Sequence, residues 1–184
     1  VLVPLFILIH VTLVFTTGAL RNLNHMYASN DSVENPVELS LHQLRDMPPH
    51  EQITQHFCIQ GWSGVAKWGG VSMQTILDIV NPAPEAKWVI FYSFAEGSDG
   101  GTYYDAQEIG QMSYHLTMLA LDMNDAPLNF THGAPVRLRN ESQLGFKMVK
   151  WIKGIEFVED FHDIGSGHGG YNNDHEFFGY RQSI

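Results

Sequence analysis

A chain of 184 residues is long enough for one sizeable core and leaves little room for a second independent domain. Hydrophobic residues make up 44% and charged ones 16%, a balance that suits a folded domain rather than a disordered one. The net charge of −10 excludes nonspecific nucleic-acid binding, because displacing counterions takes a field of Lys and Arg. A single cysteine, Cys58, excludes an intrachain disulfide. Val1 rather than Met at the start leads us to expect a longer parent chain.

Residues 1–21 begin with VLVPLFILIHVTLVFTTGAL, which carries no charge and is about the length needed to cross a hydrocarbon core, so a transmembrane helix is expected. A signal peptide and a buried core helix are the rivals, although a basic leading region and a small-residue cleavage site are lacking for the first. Residues 22–36 are polar and rich in turn formers and read as a linker. From residue 37 to 184 the pattern is that of a mixed α+β domain. Residues 37–40 suit a short strand, and Ser40 suits the cap of a brief helix that ends before Pro48 and Pro49. Residues 52–60 alternate as a strand, with Cys58 near its end. Ser72 caps an expected helix over 73–80, where Ile76, Leu77 and Val80 share a face. Residues 87–94 (KWVIFYSF) read as a buried strand. After a Gly-rich loop at 97–101, Asp105 suits the cap of a short helix reaching Met112. Strands are expected at 116–121, 136–139 and 151–158, with a turn at Asn124–Asp125, and the tail from Asp163 reads as loop.

Several residues could carry chemistry. Cys58 lies in HFCIQGWSGVAKWGGVSM, where glycines would let backbone approach a bulky ligand and a thiolate would suit a soft or sulfur-bound metal. Downstream, THGAPVRL and GFKMVK place Arg137, Lys147 and Lys150 as a local cationic cluster in an acidic chain, suited to an anion such as phosphate. Ten histidines invite a zinc hypothesis, but no HExxH or paired CxxC is present. In the tail, His168, Asp174, His175 and Glu176 could meet a metal, although polar loop residues are the plainer reading. GWSG matches a serine-hydrolase elbow only in part. His10 lies within the apolar stretch and His25 just beyond it, which makes them candidate haem ligands.

Taken together, HFCIQGWSGVAKWGGVSMQTILDIV, WVIFYSF and MLALDMNDAPLNFTHGAPVRLRNESQLGFKMVKWIKGIEFV resemble the molybdopterin-dependent sulfite oxidase family over roughly residues 35–160. The similarity is greater to its bacterial branch of methionine-sulfoxide reductase catalytic subunits. The tail GGYNNDHEFFGYR is similar to that of membrane-linked members. This resemblance implies a sulfite-oxidase-type fold of mixed sheets and short helices, and a molybdenum-molybdopterin cofactor with Cys58 as the protein ligand to the metal. It places Ser93 and His132 beside the pterin, and Arg137 with Met148, Val149 and Lys150 at the phosphate end. It further implies oxygen-atom transfer on a small-molecule substrate, metal cycling between hexavalent and tetravalent states, and a cytochrome-b-type, haem b or quinone electron partner at a bacterial cell membrane.

Two departures from the family sharpen the expectation. Sulfite oxidases carry arginines shortly after the ligand cysteine, whereas Cys58 is followed by Ile-Gln-Gly-Trp-Ser, which favours a neutral S-oxide or N-oxide over sulfite. The domain also begins late relative to the family, as if its usual first part were missing. Trp62, Trp68, Tyr103 and Tyr104 are candidates to wall a substrate funnel, although aromatics at such positions are more often core, and His56 and His132 are the candidate acid–base groups. The alternatives are sulfite oxidation, or an electron-transfer or haem-binding membrane subunit without catalysis of its own.

Overall fold

The computed structural model describes residues 25–29 and 32–176, together with 179, 181, 183 and 184. The apolar stretch 1–20, with His10, lies outside the described residues. Among those described, no helix is long and apolar enough to cross a membrane.

Among the described residues, ten strands form two sheets. The first, in the order β2 (Val37–Ser40), β1 (His25–Ser29), β10 (Ile152–Val158), β5 (Trp88–Glu96), β6 (Thr102–Glu108), is antiparallel except for the parallel β1–β10 pair. The second runs β3 (His50–Phe57), β4 (Ser63–Ser72), β7 (Thr117–Met123), β8 (Ala126–Pro127), and β9 (Arg137–Asn140) also pairs with β7. Strand β1 falls in the stretch whose polarity reads as a linker; pairing to β10 and β2 supplies what local composition does not.

The short helices follow their caps. Ser40 and Gln43 close a reciprocal capping box on α1 (Leu41–Asp46), and Ser72 caps α2 (Met73–Val80), which ends at Asn81 in the left-handed conformation. Helix α3 spans Ile109–Met112, and α4 (Tyr171–Glu176) lies within the tail that reads as loop. Asp105 caps nothing: it stands in the middle of β6, fully buried and ion-paired to Lys147.

Strand alternation sorts side chains into three apolar layers. Between the sheets lies the main core, with Val89, Phe91, Leu119, Leu121, Leu138, Ile155 and Phe157, closed by Ile76 and Val80 of α2. Burying each such side chain stabilises the fold by about 1.5–3 kcal/mol. On the outer face of the first sheet, Ile90, Tyr104, Ala106 and Phe161 pack under the tail residues Ile164 and Tyr171. The outer face of the second sheet carries only a small cluster, Ala66, Trp68, Met118, Ala120 and Leu128. That thinly covered face holds the candidate site.

Candidate functional site

Arg137 and Arg139 alternate along β9 and so project to one side, opposite Ala120 and Met118 of β7. Both guanidiniums lie over the buried Trp68 ring, at 5.0 and 4.3 Å from its centroid. The small Ala66 and Ala120 pack in the same cluster as Trp68, and Gly70 lets β4 lie close to β7, since a side chain there would run into the Leu119 carbonyl.

The two arginines differ in how their charge is met. Glu141 takes Arg139 in a fork, with Nε to Oε1 at 2.8 Å and Nη2 to Oε2 at 2.7 Å. Arg137, only 7% exposed, has Nη1 on the His132 carbonyl at 3.0 Å, and no carboxylate pairs with it among the described residues. Its buried Nε has no hydrogen-bond partner there, and neither has the indole Nε1 of Trp68. Burial, then the Arg139 charge, pushes Arg137 down to about 9.

Lys150 completes the basic face. Its Nζ donates to the Thr131 carbonyl at 3.0 Å and sits 4.5 Å from the Trp151 ring centroid. Burial and Arg137 lower its pKa. Gly133, with φ of 104°, lets Lys150 and Arg137 close over the 130–133 turn: a Cβ there would meet Lys150 at 2.9 Å and Arg137 at 3.1 Å. The Ala134–Pro135 peptide that follows is cis. Ser93, 1% exposed, donates to the Lys150 carbonyl at 2.7 Å and accepts from the Ala95 amide at 2.9 Å, so its hydroxyl holds backbone in place. Met148 and Val149 are buried, and the Met148 amide is engaged by Gly145 O at 3.1 Å.

Cys58 stands one residue beyond β3, in the turn joining it to β4. Its amide donates to Trp62 O and its carbonyl accepts from Gly61, both at 2.9 Å, and Gly61 takes the positive φ that closes the turn. The half-buried thiol lies 3.9 Å from the Gln60 Oε1, which also accepts from the Trp62 indole at 3.3 Å. His56 ties this turn to the basic face: its ring centroid is 5.4 Å from that of Trp62, and its Nδ1 meets Arg139 Nη1 at 2.8 Å. Burial first, then Arg139, Arg137 and Lys150, pushes His56 down to about 4.

The structure thus gathers Arg137, Lys150, His132 and Ser93 around one turn, and Arg139, His56, Trp62 and Cys58 in a contiguous line beside it. It corrects three expectations. Lys147 leaves the cationic cluster for the Asp105 carboxylate on the other sheet. Trp68 is a buried platform for the arginines rather than a funnel wall. Tyr103 and Tyr104 face the tail, bonded to Asn172 and to Ile164 and Asp174. Asp174 also accepts from the Ser166 and His168 amides, and no metal-holding group of three or more His, Cys, Asp or Glu occurs among the described residues. Arg139 and Glu141 are the site residues that sequence reasoning missed; alternation along RLRN is the signal that could have found the first.

A buried guanidinium that no carboxylate pairs with among the described residues, connected through Trp68, Arg139 and His56 to the turn that carries a half-buried thiol, fits a cofactor that offers a phosphate at one end and sulfur-bound metal at the other. Comparison with known proteins agrees. The family model for the oxidoreductase molybdopterin binding domain matches residues 19–163. A protein-methionine-sulfoxide reductase catalytic subunit of Xanthomonas axonopodis is 34% identical over 68% of this chain and 42% of its own length. Its counterpart from Campylobacter jejuni is 29% identical over 70% of this chain and 47% of its own. The chain therefore spans less than half the length of these relatives. The sulfane dehydrogenase SoxCD of Paracoccus pantotrophus shares the fold, with a TM-score of 0.66 over 78% of this chain and 41% of that one, at 19% identity. The chain belongs to the family of oxidoreductase molybdopterin-binding domains, within the sulfite oxidase fold.

Proposed function

We propose that the chain is a molybdenum-molybdopterin oxidoreductase domain that carries out oxygen-atom transfer on a neutral S-oxide. The observation that carries this reading is Arg137, a buried cation that no carboxylate pairs with among the described residues. A phosphate at the cofactor's end supplies the missing charge, and a planar guanidinium suits it. Cys58 is the thiolate ligand to the metal, and the bound molybdenum centre supplies the two-electron oxygen-transfer chemistry.

The chain's own residues hold and orient. Arg137 and Lys150 bind the phosphate end, and Ser93 fixes the backbone that carries Lys150. The turn from Cys58 to Trp62 pins the thiol's backbone at both polar groups. Ile59, Gln60 and Trp62 present an uncharged rim, which suits a sulfoxide better than an oxyanion, and the named activity of the two reductase relatives points the same way. Electrons reach the site from a haem or quinone partner, and residues 1–21 tether the domain to a bacterial cell membrane.

Protein made in molybdenum- and pterin-replete cells tests the reading. Near-stoichiometric metal and pterin are expected, with metal lost in Cys58→Ser and turnover on sulfoxides exceeding that on sulfite. A chain that carries neither metal nor pterin under those conditions sinks the proposal.

A further inference from the structure

His56 is held in a way that fixes which of its nitrogens carries the proton. Glu141 occupies Nε and Nη2 of Arg139, and Gln52 Nε2 steadies the same carboxylate at 2.9 Å. Only Nη1 is left to face the imidazole, and it lies 2.8 Å from Nδ1. A guanidinium donates and never accepts, so Nδ1 must be the acceptor and the proton must sit on Nε2. The ring is also held sterically. Its Cε1–Nε2 edge lies by Gly145, where any side chain would collide with it, and the ring sits tilted beside that of Trp62, 5.4 Å between centroids. Arg139 is fully buried and cannot swing away to release it. Nε2 itself has no protein hydrogen-bond partner among the described residues, and the half-buried His56 stands two residues before Cys58, next to Trp62 of the turn that carries the thiol.

We infer that His56 is a fixed neutral hydrogen-bond donor that binds the oxygen of a sulfoxide substrate through Nε2–H, with Arg139 and Glu141 as its positioning residues. The inference rests on the oxygen-transfer reading for its substrate class, but the tautomer stands on the geometry alone. A neutral donor with one proton suits the oxygen of an uncharged S-oxide. It adds little for sulfite, whose charge calls for a cation.

Nitrogen-15 NMR of the full chain decides the first half, with the His56 signal assigned by its loss in His56→Gln. A pyridine-type Nδ1 and a protonated Nε2 are expected, the Nε2–H resonance moving on titration with methionine sulfoxide and staying put with sulfite. In Arg139→Met both tautomers should appear. Kinetics decide the second half: His56→Leu should raise KM for the sulfoxide about ten-fold, the effect of one lost hydrogen bond, with a smaller change in kcat. His56→Gln keeps an acceptor for Arg139 and a donor for substrate, and should recover most of that loss. A proton on Nδ1, an Nε2–H signal unmoved by sulfoxide, or an unchanged KM in His56→Leu overturns the inference. Protein devoid of molybdenum defeats the oxygen-transfer reading instead, and the NMR titration still reports on the donor.

Discussion

Arg137 and Lys147 come from the same short stretch of chain and are both buried, yet the fold treats them in opposite ways. Lys147 turns into the body of the protein and pairs with Asp105, and Gln107 Nε2 takes its carbonyl at 2.9 Å. Arg137 turns to the outer face of the other sheet, where a second arginine, a tryptophan ring and a carbonyl surround it. Among the described residues one cation has a carboxylate partner of its own and the other has none. Burial alone therefore does not mark a binding residue; burial without an internal counter-charge does.

The largest expected effect comes from breaking the neutralised pair. Lys147→Met leaves the Asp105 carboxylate buried without a partner and should cost about 3–5 kcal/mol in urea denaturation, whether or not cofactor is supplied. Asp105 next gives a pH signature. Burial, set against the Lys147 charge, pushes its carboxyl from 3.8 up to about 7. Between those values the folded chain holds more protons than the unfolded one, so this group's contribution is full below about 4 and is lost as pH rises through 7. The unfolding free energy from urea denaturation should fall across that window, by on the order of a few kcal/mol, relative to Asp105→Asn followed in parallel.

The open cation should respond to anions instead. Inorganic phosphate at ten times its dissociation constant should stabilise the protein by about 1.4 kcal/mol, and thermal melts should show that gain absent from Arg137→Met. The smallest effect is on the stability of Arg137→Met itself. Removing a buried charge that repels Arg139 should leave the unfolding free energy within about 1 kcal/mol of the original, while pterin retention drops. A loss comparable to that of Lys147→Met would erase the distinction between the two cations.

Local signals were legible and distant ones were not. Ser72 and the face formed by Ile76, Leu77 and Val80 announce α2 residue for residue, because a cap and a period are properties of adjacent positions. Strand β4 is hidden because Gly64, Gly69 and Gly70 depress its strand character, although Gly70 is what allows β4 to lie close to β7. Asp105 resembles a helix cap until Lys147, far along the chain, is brought to it. At the site, Cys58, Arg137 and Lys150 stood out by residue type and by resemblance. Arg139 drew no reading beyond ending a strand, since nothing nearby in sequence reveals that Trp68 lies beneath it.

The alternation of β9 also determines how that strand can be paired. Leu138 enters the main core while Arg137 and Arg139 stay on the outer face. Sliding β9 by a single residue against β7 would put both guanidiniums among Phe91, Leu119 and Ile155 and carry Leu138 out over Trp68. The same two charges that shape the site therefore penalise every odd-numbered slip of the strand that bears them, so the site helps to choose the register on which it depends.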